Sequence, residues 1–136
     1  MIEQRVHSIF DKARFIQELG ITITKVREGL VETQLVVRDE FRQQHGFVHA
    51  GVLATLGDHT AGGACRSATG EKDVLTVEFK INFLRPAAAE LLKCRAQVLR
   101  AGRGIAVADA EIFAVNDGVE KLVAKLTETV VVIDQA

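Results

Sequence analysis

The sequence has few of the residues that cross-link a chain, interrupt its helices and strands, or provide large aromatic rings for stacking. Its 136 residues include one proline, Pro86, two cysteines, and neither tryptophan nor tyrosine. Two cysteines, Cys65 and Cys94, are too few for a disulfide framework, and we predict that both are small buried thiols. One proline leaves long helices and strands uninterrupted. Hydrophobic residues make up 48% of the chain, so we expect an apolar core rather than covalent links to hold the fold together.

The sequence also lacks a dominant charge and a long apolar run. Seventeen basic and eighteen acidic side chains leave a formal net charge of -1, whereas domains that coat nucleic acid are usually strongly basic. No apolar run approaches the ~18 residues of a membrane span. Charged residues such as Glu3, Arg5 and Asp11 make the N-terminus unlike a secretory signal. We expect one cytoplasmic domain over residues 1–136, with neither nucleic acid nor membrane as a partner.

The hydrophobic pattern changes from helical to alternating along the chain. Apolar residues recur at helical spacing over residues 2–19 and stop before Gly20, which predicts a helix that ends there. Alternating and β-rich runs predict strands at residues 21–26, 30–37, 74–83, 91–99, 105–115 and 119–133. Several of these strands are ten or more residues long, so the sheet is expected to twist and coil.

A second helix is predicted over residues 52–67. Val52, Leu53, Leu56 and Thr60 recur at helical spacing, with glycines and alanines between them. Helix propensity alone disfavours so many glycines, but close packing of a helix against a curved sheet would explain them. A loop rich in glycine and alanine is the alternative. The order of elements predicts an α+β fold in which a long curved antiparallel sheet wraps around a central helix, the hotdog arrangement.

Reactive side chains concentrate in residues 43–51 and at Asp58. The run HGFVHAGVLATLGDHTAGGA resembles the HGG-x(4)-L-x-D-x-A-x-G-x-A signature of PaaI-like acyl-CoA thioesterases of the hotdog-fold superfamily. The run LTVEFKINFLRPA resembles that family's strand ending in a Pro-Ala turn. The sequence departs from the pattern at two positions, since Ala50 replaces a usual glycine and Gln43 stands where asparagine is frequent. The resemblance implies hydrolysis of an acyl-CoA thioester to free acid and CoA.

Thioester hydrolysis needs a group that stabilises charge on the carbonyl oxygen and a group that attacks or activates water. A helix that begins near His49 would direct the backbone amides of Ala50 and Gly51 toward an oxyanion. Asp58 is the candidate nucleophile or general base, and the sequence leaves both roles open. A capping or ion-paired aspartate is the alternative.

Three further roles follow from the resemblance. Thr76 would help to hold the carboxylate or the water, although an ordinary strand residue fits the position as well. Gln43 would hydrogen-bond the thioester carbonyl or the attacking water, and a solvated loop amide is the alternative. His49 would shape the oxyanion loop rather than transfer a proton.

The spacing of these groups also predicts an oligomer. Asp58 lies about two turns past the helix start, roughly 10 Å away, which is too far for both groups to act on one carbonyl. In the hotdog family, sites form between two subunits, one supplying the helix N-terminus and the other the acid. We therefore expect an obligate homodimer and, by family analogy, a dimer of dimers, that is, a homotetramer.

The charge distribution bears on the substrate. Residues 80–103 carry six basic side chains and one acidic one, which suits the phosphates of CoA. In the family that the sequence resembles, CoA lies along the surface near such turns, which makes Arg85 and Arg103 the candidate phosphate-binding residues, and a solvated charged face is the alternative. Phe83 is a candidate for the acyl pocket, as is each of the other phenylalanines.

No cofactor is expected. Histidines and Asp58 could in principle bind zinc, but Gly46 places His45 in a loop, away from the predicted helix. Two other functions stay open at this point. One is a hotdog hydratase or dehydratase of 3-hydroxyacyl thioesters, which would not explain Asp58. The other is a non-catalytic acyl-CoA-binding module, which would not need that residue.

Overall fold

The computed structural model describes residues 1–135 as a six-stranded antiparallel sheet around one long helix. The spatial strand order is β1-β2-β4-β5-β6-β3, which agrees with the predicted α+β hotdog arrangement. The elements, in chain order, are α1 Ile2–Asp11, α2 Arg14–Leu19, β1 Thr22–Arg27, β2 Leu30–Val36, α3 Ala50–Ser67, β3 Asp73–Phe83, β4 Leu91–Ala101, β5 Ile105–Asn116 and β6 Val119–Ile133. None of the helices in residues 1–135 is long and apolar enough to cross a membrane.

The N-terminal helix is interrupted where the sequence predicted continuity. Ala13 adopts an extended conformation, with ψ 99°, between α1 and α2. The side-chain amide of Gln17 donates to the Phe10 carbonyl at 3.0 Å, so a side chain provides a hydrogen-bond partner for the backbone at the break. The predicted stop at Gly20 is confirmed, because this residue takes the left-handed conformation at φ 79° and its N–H bonds to the Ile16 carbonyl.

Helix α3 lies very close to the sheet because both surfaces are made of small residues. Ala106, Ala108 and Ala110 of β5 are fully buried. A Cβ atom added at Gly57 would stand 3.1 Å from Leu126, which is tighter than ordinary van der Waals contact. Close approach to the sheet therefore explains Gly57, as the sequence predicted, whereas Gly63 is required by Phe10 of α1, which would lie 3.0 Å from an added Cβ. Cys65 and Cys94 are buried free thiols, also as predicted.

Strand β3 forms one edge of the sheet and contains a β-bulge. Its register with β6 shifts between Thr76 and Glu78, so that Thr76 opposes Val130 and Phe79 opposes Glu128. Residues directly opposite each other share a face, and Thr76 therefore lies on the helix-facing side together with Phe79. The sequence had predicted an unbroken alternation from Leu75 to Phe83, which is wrong because the bulge inserts an extra residue.

The same edge strand is unusually apolar for its exposure. Leu75 is 58% exposed, Val77 59% and Phe83 49%. In the described residues, β3 pairs only with β6, so the backbone groups along its other side have no strand partner. Exposed apolar edge strands favour pairing with another chain.

Candidate active site

The start of α3 is organised by His49. This residue is the N-cap, with extended backbone angles of φ -61° and ψ 140°, and its Nδ1 accepts the Gly51 N–H at 2.8 Å. Accepting at Nδ1 requires the proton to be on Nε2. The His49 carbonyl accepts from Val52 at 3.0 Å. The expectation of two free amides is therefore corrected: the Gly51 N–H is occupied by the capping ring, and the exposed Ala50 N–H has no acceptor within residues 1–135.

The loop before α3 is held by the side chain of Gln43. Its Oε1 accepts from the backbone N–H groups of His45 and Phe47, the latter at 3.3 Å. The carbonyl oxygen of this amide is thus used to shape the loop, and only the amide nitrogen is left to donate to a ligand. The Val48 N–H donates to the Ala87 carbonyl at 2.9 Å, which joins the loop to the Pro-Ala turn.

An open cleft of about 510 Å³ lies in front of the helix start. Phe83 and Arg85 line it beside His49 and Ala50. The Arg85 Nη1 donates to the Leu122 carbonyl at 2.8 Å, so its guanidinium is fixed at the rim. The complete lining consists of Gln43, Gln44, Phe47, Val48, His49, Ala50, Leu53, Phe83, Leu84, Arg85, Pro86 and Ala87.

Asp58 and Thr76 meet between α3 and β3. The Thr76 hydroxyl donates to Asp58 Oδ1 at 2.8 Å. The bulge makes this contact possible, because it puts the threonine on the helix-facing side of the strand. The two residues that the resemblance had paired are thus brought together by the fold.

A third side chain at this position, Glu128 of β6, was missed by the sequence analysis. It is 0% exposed, and neither carboxyl oxygen accepts a hydrogen bond within residues 1–135. Burial, followed by the nearby Asp58 carboxyl, raises the pKa of Glu128 to about 10. The sequence did contain a signal. Counting by twos along β6 gives an inward-facing row of apolar residues with one carboxylate among them, namely Ala124, Leu126, Glu128, Val130 and Val132.

His59 follows Asp58 in sequence but belongs to the packing between helices. Its Nε2 lies 3.0 Å from the Ile9 carbonyl, and its ring meets the Phe10 ring edge-on at 4.5 Å between centroids. Burial lowers the pKa of His59, against opposing contributions from the Ile9 carbonyl and the Asp58 charge. Over residues 1–135, no group of three or more His, Cys, Asp or Glu side chains is placed to hold a metal ion.

The candidate residues fall into two groups that lie at different ends of β3. Asp58 lies beside Thr76 near its beginning, whereas Ala50 shares the cleft with Phe83 and Arg85 at its end. Ala50 and Asp58 are eight positions apart along the helix, a rise of about 12 Å. The structure therefore does not bring the Ala50 amide and the Asp58 carboxyl of one chain onto a common point.

The two predicted phosphate-binding arginines are also apart. Arg103 lines a separate surface depression with Lys72 and Arg100, beside the β4–β5 turn. That turn adjoins β6 where β6 pairs with the beginning of β3, because the Val132 N–H donates to the Gly104 carbonyl at 2.8 Å. Arg85 follows the other end of β3, so one chain does not place both arginines on one ligand.

Comparison with known proteins identifies relatives along most of the chain. Residues 45–121 match the model of the thioesterase superfamily. The 1,4-dihydroxy-2-naphthoyl-CoA hydrolase of Listeria monocytogenes is 31% identical over 107 residues, which covers 78% of this chain and 85% of that protein.

Solved structures agree with this match. A thioesterase family protein from Silicibacter pomeroyi superposes with a TM-score of 0.96 at 38% identity, covering 99% of this chain and 100% of that chain. The E. coli PaaI protein from the phenylacetic acid degradation operon superposes with a TM-score of 0.89 at 29% identity, covering 99% and 95%.

Proposed function

Since the chain belongs to the thioesterase superfamily and is a thioester hydrolase, we propose that it hydrolyses an acyl-CoA thioester to the free acid and CoA. The observation that carries this proposal is the pair of groups on α3: an unsatisfied amide at its exposed start and a carboxylate, held by a threonine, in its middle. These are the two chemical functions that thioester hydrolysis requires.

Ala50 supplies the oxyanion donor in this proposal. Its N–H lies at the positive end of the helix, at a residue that lines the cleft. His49 does not contact the substrate oxygen; it caps Gly51 and so fixes the direction of the first turn. The Gln43 amide nitrogen lies at the same cleft, where it can donate to the thioester carbonyl or to water.

Asp58 supplies the carboxylate, and Thr76 orients it. As a general base it takes a proton from water, and the resulting hydroxide attacks the thioester carbon. As a nucleophile it forms an acyl anhydride, and water then attacks the Asp58 carbonyl carbon of that anhydride, which releases the free acid. In both routes the tetrahedral oxyanion collapses with loss of CoA thiolate, which is then protonated. A single turnover in ¹⁸O-water separates the routes, because only the nucleophilic route leaves the first labelled oxygen on Asp58.

The complete site is proposed to form between two protomers. An antiparallel pairing of β3 with its own copy, centred near Phe79 and Lys80, would cover the exposed apolar edge. It would place Thr76 of one protomer opposite Phe83 of the other, because antiparallel pairing about a two-fold axis reverses the order of residues. The Asp58 carboxylate of one chain would then meet the Ala50 amide and the cleft of the second.

The same pairing accounts for the scattered basic residues. It would bring Lys72, Arg100 and Arg103 of one protomer toward Arg85 of the second, although these groups lie apart within one chain. The combined cluster would suit the phosphates of CoA. The acyl group would enter the cleft beside Phe83. The homodimer is thus part of the functional proposal, and its further assembly into a tetramer is proposed by analogy alone.

A panel of short, medium, long and aryl CoA esters, assayed with a thiol-trapping reagent, tests the activity. Release of free CoA is expected for at least one acyl class. Hydration of crotonyl-CoA without CoA release would instead identify a hydratase. Tight binding of an ester without turnover would identify a binding module.

Complementation tests the shared site. Ala50→Pro removes only the N–H at the first helical position, where proline is well tolerated, and the extended His49 backbone is compatible with a following proline. Ala50→Pro and Asp58→Asn should each be inactive. Co-refolding them should restore about a quarter of wild-type activity, since half of the dimers are mixed and each mixed dimer has one intact site. No recovery in a mixture that does exchange subunits would contradict a site between two chains.

A further inference from the structure

Glu128 is a buried carboxyl group for which the proposed reaction has no use. It projects from β6 toward α3, between the apolar side chains of Leu126 and Val130. Its Oε2 lies 3.8 Å from the point where a Cβ on Gly62 would stand, one helical turn beyond Asp58. The absence of a side chain at Gly62 therefore makes the space in which the carboxyl sits.

The groups that face Glu128 come from two neighbouring elements. Helix α3 contributes the carboxyl of Asp58 and the thiol of Cys65, and β3 contributes the hydroxyl of Thr76. The carboxylate of Glu78 lies on the other side of the sheet, opposite Thr129, and acts on Glu128 only through its charge. The residue opposite on β5 is Ala108, which cannot titrate. No lysine, arginine or histidine of residues 1–135 forms an ion pair with Glu128 or with Asp58.

The cluster has one hydrogen-bond donor fewer than its two neighbouring carboxyls require. Thr76 has a single hydroxyl hydrogen, and it is donated to Asp58. The two carboxyls are neighbours, because Asp58 lies one helical turn from Gly62, which the Glu128 carboxyl approaches, and the Asp58 charge contributes to raising the pKa of Glu128. If both were ionised, the fully buried carboxylate of Glu128 would face the half-buried carboxylate of Asp58 without a donor or a cation between them, which is strongly unfavourable.

We propose that Glu128 is protonated at neutral pH and donates its carboxyl hydrogen to Asp58, acting as a positioning residue beneath the proposed catalytic carboxylate. Asp58 then accepts one hydrogen bond from β3, through Thr76, and one from β6, through Glu128. Two donors from different strands fix both the position and the rotation of the carboxylate, which one donor alone does not. The catalytic part of this inference rests on the proposed function, whereas the shared proton does not.

The direction of the pKa shift agrees with this geometry. Burial of Glu128 disfavours its charged form, and the Asp58 charge adds to the effect, so the pKa of Glu128 lies at about 10. The hydrogen bond is charge-assisted, because a neutral acid donates to an ionised one, and such bonds are stronger than neutral ones. Glu128 is thus the proton donor of the pair, and Asp58 is the residue nearer to the substrate in the proposed site.

Infrared difference spectroscopy of the purified protein tests the shared proton without any substrate. At neutral pH we expect a carbonyl stretching band of a protonated carboxylic acid in the wild type and its loss in Glu128→Gln. In Asp58→Asn the band should shift, because its carboxylate acceptor has been replaced. A wild type without the band, or a band unmoved in Asp58→Asn, would overturn the proposal whatever the enzyme's activity.

Kinetics tests the positioning role. Glu128→Gln keeps a donor of nearly the same shape, so kcat should stay close to that of the wild type. Glu128→Leu keeps the volume but removes the donor, so kcat should fall about 10- to 100-fold while KM changes little. The difference in kcat between Glu128→Gln and Glu128→Leu separates a positioning role from a merely structural one, since both side chains fill the same space. Equal kcat in Glu128→Leu and the wild type would refute the positioning role.

A second variant protects the test against a folding defect. If Glu128→Leu fails to fold, as judged by circular dichroism and gel filtration, Glu128→Met offers a more flexible side chain of similar length. Failure of the proposed function is recognised separately: the infrared band would be present, but no CoA ester would be hydrolysed by the wild type.

Discussion

Two aspartate–threonine pairs in this molecule share one hydrogen-bond geometry but have different surroundings. Thr76 donates to Asp58 at 2.8 Å beneath α3, and Thr127 donates to Asp109 at 2.8 Å on the outer face of the sheet. The outer pair has a cation, since Lys125 lies 3.8 Å from Asp109. The inner pair has no cation but a buried second carboxyl, Glu128.

This difference shows that the hydrogen bond alone does not mark a reactive carboxylate. At the outer pair a lysine balances the charge, so the arrangement resembles an ordinary surface ion pair. At the inner pair the charge is balanced only by donors, and it lies beside a strand edge that is open to a second chain. A buried carboxyl with a strongly raised pKa, such as Glu128, beside a carboxylate without a cation is characteristic of functional sites. A variant of the outer pair is therefore a matched control for the corresponding variant of the inner pair.

The largest contrast between the two pairs is expected when the aspartate of each is replaced by asparagine. Asp58→Asn should lower kcat about 10²- to 10⁴-fold, because a general base or nucleophile is lost. Asp109→Asn should leave kcat unchanged, because the outer pair faces away from α3. Steady-state assays on the CoA ester that the wild type cleaves fastest provide the measurement. Equal losses in the two variants would remove the distinction between the pairs.

A smaller contrast is expected for the two hydroxyls. Thr76→Val should lower kcat about 10- to 100-fold, since a hydrogen bond to a charged group contributes about 1.5–3 kcal/mol. Thr127→Val should have no effect on turnover. Both substitutions keep the branched shape that suits a strand, so both variants should remain folded, which circular dichroism checks. If Thr76→Val turned over as fast as the wild type, Thr76 would be an ordinary strand residue.

The buried carboxyl also predicts how stability depends on pH. The pKa of Glu128 rises from an ordinary 4.5 to about 10 in the folded chain. Between these values the folded state holds a proton that the unfolded state releases, so the free energy of unfolding falls as pH rises. Glu128→Gln has no carboxyl that titrates here. As pH rises, its free energy of unfolding should therefore increase relative to that of the wild type, by up to about 1.4 kcal/mol per pH unit.

Urea denaturation at several pH values between about 6 and 9 measures this effect. Asp109→Asn serves as the control and should keep the slope of the wild type, since it leaves Glu128 in place. Parallel stability curves for the wild type and Glu128→Gln would show that Glu128 releases its proton in the folded state as it does in the unfolded one.

The smallest effect is expected at the cation of the outer pair. Lys125 lies 3.8 Å from Asp109 and 3.9 Å from Glu111 and is partly exposed. Lys125→Met should change the free energy of unfolding by less than about 1 kcal/mol, because exposed ion pairs contribute little. Thermal melts at low and high salt measure the change. A loss of several kcal/mol would mean that the outer pair is more than a surface contact.

The sequence predicted those parts of the fold that depend on periodicity. The strand at 119–133 was predicted at its observed bounds, and Gly20 was predicted to end a helix. The break at Ala13 and the bulge after Thr76 were not predicted, because each depends on a tertiary or cross-strand contact that leaves the local pattern unchanged.

The candidate site was predicted only in part, for a similar reason. Asp58 and Thr76 came from a motif, and the structure brings them into contact. The pairing of the Gly51 N–H with His49 depends on a side-chain rotamer that no spacing rule reveals. Glu128 was missed because its neighbours Thr127 and Thr129 make the local stretch look like a polar surface strand. Only the alternation along the whole strand shows that it faces inward.

The closeness of α3 to the sheet limits where substrate selectivity can reside. Since Gly57 nearly touches Leu126, a fatty or aromatic chain has no room to slide beneath the helix without lifting it, and lifting it would separate Asp58 from Thr76. Changes in acyl preference among homologues should therefore accumulate in the loop at residues 43–47 and the turn at 84–87. The helix underside, in contrast, should tolerate little variation in volume.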